Sequence, residues 1–130
     1  MPTAAKPERV ARILVERHFS VEKQIVKYNA FLPALSDGAW STSVFDADGL
    51  TDSDVWALGE RHVASARNKP VYGYADISVL AVEEQRLTVD RAEPPPRHCD
   101  IVGWPSAKEE RISVAQELAA QSTLKLKLRE

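Results

Sequence analysis

Pro94-Pro95-Pro96 rules out regular structure in the middle of this chain's C-terminal half. Three backbone donors are missing there and φ is held near one value, so the segment is neither helix interior nor central strand. Arg97-His98-Cys99-Asp100 follows at once, placing an imidazole, the only cysteine and a carboxylate directly after a stiff bend. Ile101-Val102-Gly103-Trp104-Pro105 then supplies an apolar anchor ahead of a helix signal. A bend of this kind either displays a functional loop or only turns a corner.

The elements on either side are read from periodicity and caps. Segment 9–19 is ambiguous, because Val10, Ile13, Leu14 and Arg17 fit helical spacing while Ala11, Ile13, Val15 and Phe19 fit an alternating strand. The preferred reading is an antiparallel pair, 10–19 with 24–32, joined at Ser20-Val21-Glu22-Lys23. Ser36-Asp37-Gly38 reads as a turn before a short strand at 41–45. Thr51 as N-cap, with Asp52 and Asp54 in the first turn and Arg61 and His62 in the last, marks a helix over 51–63. Val55, Leu58, His62 and Val63 share one face of it.

Residues 71–77 read as a strand, Ser78 as the cap of a short helix over 79–86, and 87–90 as extended. Ser106-Ala107-Lys108-Glu109 has the form of a capping box opening a helix over 106–121, with an apolar stripe of Ile112, Ala115, Leu118 and Ala119. Leu124-Lys125-Leu126-Lys127-Leu128 switches to period two and predicts a C-terminal strand, 124–128, with lysines outward as an edge guard. Residues 1–7 are expected to be a frayed tail and 8–130 a single α+β domain with a small, mostly antiparallel sheet.

Composition narrows the class. A 130-residue chain with 44% hydrophobic and 28% charged residues is large enough for one sizeable core. The longest uncharged run, Tyr28–Ser36, is far shorter than a membrane span. A lone Cys99 makes no internal disulfide, and no apolar stretch precedes Glu8, so a cytoplasmic location is expected. No phosphate-binding loop, dinucleotide fingerprint, nucleophile elbow, C-x-x-C pair or H-E-x-x-H is present. Neither a cofactor nor a metal site is expected.

Three functional readings remain. The first is an accessory or regulatory module that binds a protein partner and has no catalysis of its own. Its surface would combine Pro95, Pro96, Arg97 and Trp104 with the acidic residues Asp46, Asp48, Asp52 and Asp54. Trp104 also fits a plainer role, packing onto the following helix. The second reading is a hydrolase or transferase acting on an anionic substrate. On an extended chain His98 and Asp100 share a face, so the carboxylate would support the imidazole as general base while Arg97 holds the anion. Cys99 points the other way and reads as a small buried hydrophobe.

The third reading is weak nucleic-acid binding by Lys6, Arg9, Arg12, Arg17, Lys23 and Lys27, with Tyr28 and Phe31 nearby. Residues 1–30 carry a net +3, from six Lys/Arg against three Glu. Residues 31–60 carry −6, from five Asp and one Glu. The plain account of that polarity is mutual neutralisation within the fold. The terminal Leu-Lys alternation also raises a homodimer formed by edge pairing along 124–128.

Overall fold

Strand β1 (Arg9–Leu14) is apolar on both sides, and this fixes its place in the molecule. Val10 and Leu14 belong to one apolar cluster, Ala11 and Ile13 to another, and none of the four is more than 3% exposed. A strand that buries both faces needs a layer above and a layer below. The computed structural model, which describes residues 7–15, 18–20, 22–64, 68 and 70–127, supplies both.

The remaining strands are β2 (Phe19–Ser20), β3 (Ile25–Val26), β4 (Ala34–Ser36), β5 (Ala39–Asp46), β6 (Gly73–Ser78), β7 (Thr88–Arg91), β8 (His98–Val102) and β9 (Thr123–Leu126). The helices are α1 (Asp52–Gly59), α2 (Val79–Glu84) and α3 (Lys108–Gln121). The main sheet runs β7-β8-β5-β1-β6-β9, with β4 added to β5, and every pairing in it is antiparallel. The α+β expectation holds. β4 and β5 form a hairpin closed by Asp37-Gly38, both at positive φ (52° and 78°), the two-residue turn whose twist matches flanking strands.

On one face of the sheet Val10, Leu14, Val44, Ala75, Ile77, Cys99 and Ile101 pack with α2, α3 and the short 3-10 turn Tyr28–Ala30. α3 docks through Ala115, Leu118 and Ala119, three of the four residues of the predicted stripe; Ile112 is half-buried. Burying Leu118 completely contributes about 2 kcal/mol. On the other face Ala11, Ile13, Phe45 and Tyr74 pack with α1 through Val55, Trp56 and Leu58. Gly59 permits this contact, since a Cβ there would lie 2.9 Å from Ile13 Cγ2.

Several expectations need correction. β1 does not pair with 24–32; it pairs with β5 and β6, because only those strands can cover both of its edges inside the sheet. What remains of the expected hairpin is a separate ribbon, two residues from β2 and two from β3. The helix expected over 51–63 is α-helical to Gly59 and continues as a wider π-type turn, Glu60–Ala64. The helix expected over 79–86 ends at Glu84, with Arg86 at φ 64°.

The capping box at Ser106 does not form. Ala107 is the N-cap, and its methyl side chain can accept no bond; Arg111 Nη1 donates to the Pro105 and Ser106 carbonyls nearby. Arg111 also lies over the Trp40 ring, 3.9 Å from its centre. Pro7, expected in the tail, is buried, while 1–6 fall outside the described residues. β9 runs from Thr123 to Leu126, and Leu128 of the expected 124–128 strand also falls outside the described residues.

Candidate functional site

The proline bend connects β7 to β8 and is cross-braced. Ala92 N–H donates to His98 O (2.9 Å), His98 N–H to Pro95 O (3.1 Å), and Arg97 N–H to the Glu93 carboxylate (2.7 Å). Arg97 itself is held at φ 68°, a left-handed conformation that ordinary residues adopt only when their surroundings enforce it. Beyond the bend, β8 lies beside β5 in the register Phe45↔His98, Val44↔Cys99, Ser43↔Asp100.

That register separates the residues that looked promising in the sequence. Cys99 is fully buried in the first cluster, and burial pushes its thiol above the ordinary value, so it is a poor nucleophile. His98 and Asp100 share the opposite face, with Nε2 and Oδ1 3.7 Å apart, longer than a hydrogen bond. His98 Nδ1 lies 3.0 Å from Ala92 O, so the carboxylate faces the other ring nitrogen.

Arg97 does not join this pair. Its Nη1 donates to the Asp46 and Asp48 carbonyls (3.1 and 3.0 Å), and its side chain lines a different concavity with Leu50, Asp54 and Arg61. Trp104 is 8% exposed and donates its indole N–H to Ile101 O (3.0 Å), so it packs in the core. Pro96 is exposed; Pro95 is half-buried beside His98.

The acidic residues are engaged within the fold. Asp46, 7% exposed, binds Arg91 Nη2 at 2.7 Å, lies 3.6 Å from Arg97 Nη1 and accepts from Asp48 N–H. Asp48 accepts from Glu8 and Arg9 N–H, holding the entry to β1. Asp52 accepts from the Tyr74 hydroxyl (2.5 Å), and burial followed by that bond raises the phenol above its ordinary value. Asp54 closes a capping box with Thr51.

The basic residues are also divided. Arg9 pairs with Asp76 at 2.9 Å, while Arg12 donates to the Ala30 and Ser43 carbonyls (2.7 and 2.8 Å) where β1 and β5 diverge. Lys23 and Lys27 are exposed, and Lys6 and Arg17 lie outside the described residues. Neutralisation is therefore local, and the partners of the acidic 46–54 segment come mainly from β1, β6, β7 and the bend.

Two further concavities bring together residues that are distant in the chain. A groove of 570 Å³ runs between segment 24–29 and the end of α3, with Ile25, Tyr28, Ala119, Ala120 and Leu124 among its walls. Ile25 and Tyr28 are 49% and 41% exposed, high values for large apolar and aromatic side chains. A smaller cavity of 180 Å³ lies on the other face of the sheet and gathers Arg12, Phe45, His62 and His98. The sequence held one pointer to His62, a polar residue on the apolar face of the helix expected over 51–63. The groove gave none, because its walls come from four separate elements: β3, the 3-10 turn, α3 and β9.

Among the described residues no group of three His, Cys, Asp or Glu side chains is placed to hold a metal ion, and no helix is long and apolar enough to cross a membrane. No known family, curated protein or solved structure matches the chain.

Proposed function

We propose that this protein is a small cytosolic accessory module that acts by binding a partner protein, with its contact surface in the groove between segment 24–29 and α3. The observation that carries this reading is the open apolar wall formed by Ile25, Tyr28, Ala120 and Leu124. Exposed apolar surface gathered into a concavity favours a docking role over a solvated one. Among the described residues Lys27 is the one charged residue lining the groove, so the partner segment would be apolar and carry a carboxylate to meet it. A free, buried Cys99 accords with a reducing compartment.

The acidic residues and the proline bend lend less support as a contact surface, since their polar groups are already bonded inside the molecule. The enzyme reading has support in His98 lining a cavity, but Arg97 faces elsewhere and Asp100 stands beyond hydrogen-bond reach.

Selection of a random peptide library on the full chain tests the groove. Selected peptides should combine apolar residues with Asp or Glu and lose at least about tenfold in affinity against Ala120→Arg. That substitution sits on the exposed side of α3 and should leave the melting curve unchanged. Peptides indifferent to it would end the proposal. Self-association that Ala120→Arg abolishes would make the partner a second copy. Self-association that it spares, but that trimming after Thr123 removes, would place a homodimer on the β9 edge.

A further inference from the structure

The main sheet ends at β7, which pairs with β8 on one side, and among the described residues no strand pairs with its other edge. The Ala92 N–H donated to His98 O sets the phase of the β7–β8 ladder. Bonded and non-bonded positions alternate in an antiparallel pair, so Thr88 and Asp90 bond towards β8. The Val89 N–H and C=O therefore point off the sheet.

One face of the sheet is open beside this edge. The apolar cluster under α1 draws on β1, β6 and Phe45 and includes no residue of β7 or β8. Ser43, Asp100 and Asp90 stand side by side there, across β5, β8 and β7. Ser43 and Asp90 are exposed and Asp100 is half-buried. Val89 and Cys99 face the other way, into the cluster under α2 and α3, and Arg91 is bound there to Asp46. Carboxylates directly opposite one another on neighbouring strands repel. The Asp90 carboxylate makes no hydrogen bond or ion pair among the described residues, and Asp100 lies 3.7 Å from His98 Nε2.

We propose that β7 accepts an extended segment of a partner protein as a further strand, with lysine or arginine at alternate positions of that segment lying over Asp90 and Asp100. Main-chain bonds to the open edge supply affinity, and the opposite charges select the sequence. A second β7 is a poor occupant, because antiparallel self-pairing brings the Asp90 carboxylates of both copies onto one face, close together. β9, which borders the apolar groove, is the opposite end of the sheet, so this surface stands whether or not the groove is occupied.

The probe is a hexapeptide of alternating arginine and threonine, blocked at both ends, titrated into the full chain and followed by amide NMR. The Val89 N–H should shift saturably and exchange more slowly with solvent in the bound state, while the Leu124 N–H on β9 should not respond. Replacing arginine by glutamate should weaken binding at least about tenfold, and so should methylating the peptide's main-chain nitrogens. Asp90→Lys should weaken the arginine peptide about as far, without lowering the melting temperature, since it sets a cation opposite Asp100. Ala120→Arg, in the groove, should leave the affinity as it is. A glutamate or methylated peptide that binds as tightly, an Asp90→Lys variant that binds unchanged, or a silent Val89 would each overturn the proposal. If Asp90→Lys fails to fold, the two altered peptides decide. Self-association that Asp90→Lys abolishes would overturn it in favour of a second copy, whose β9 carries Lys125.

Discussion

Tyr74 shows how one side chain ties charge to stability. Its ring is 1% exposed between β6 and α1, and its hydroxyl donates to Asp52 at the start of that helix. Burial and the neighbouring carboxylates both disfavour the phenolate, so the folded protein holds this proton more tightly than the unfolded chain does. The resulting stability is whole below the unfolded phenol value of about 10. As pH rises beyond that point it drains away, by up to about 1.4 kcal/mol per pH unit, toward the raised folded value. Urea unfolding from about pH 8 to about pH 11 should therefore show Tyr74→Phe losing stability less steeply than the wild type. Parallel profiles would mean that the hydroxyl is not coupled to folding. Cys99 and Trp104 make a related point: reactive or aromatic in the sequence, both are core residues in the fold.

At the scale of elements, two helix starts that look alike in the sequence differ in the molecule. Thr51 accepts from Asp54 N–H, and the Asp54 carboxylate accepts from Thr51 N–H, so α1 begins with a closed box. Ser106 makes no such bond, and α3 begins one residue later under Arg111. Thr51→Ala should accordingly cost about 1 kcal/mol, while Ser106→Ala should stay within about 0.5 kcal/mol of the wild type. Denaturant midpoints measured side by side would check the contrast, and equal losses would contradict it. β9 shows a third kind of control. Gly73 faces it, and a Cβ there would collide with the Lys125 carbonyl, so a residue without a side chain on β6 lets the last strand close the sheet.

For the whole molecule, the arrangement that matters is one sheet serving two apolar clusters. Trp104 reports on the cluster under α2 and α3, and Trp56 on the cluster under α1. Because β1 contributes to both, neither cluster persists once that strand leaves the sheet. Variants keeping only Trp56 or only Trp104 should unfold with coincident fluorescence midpoints, as a cooperative single domain does. Separate midpoints would show that the layers come apart independently.

Local signals in the sequence were enough to specify the α+β class, the Asp37-Gly38 turn, the cap of α1, the Ser78 cap of α2 and the presence of a final strand. Each depends on residues within a few positions of one another, where propensity and hydrogen bonding act directly. Tertiary structure alone decided the partners of β1, because a strand apolar on both faces carries no period that distinguishes it from a helix. It also decided that Asp46 and Asp48 bind within the fold, and that His62 and His98 meet at Phe45. Those outcomes depend on which strands lie side by side, and pairing between distant segments is set by burial over the whole sheet.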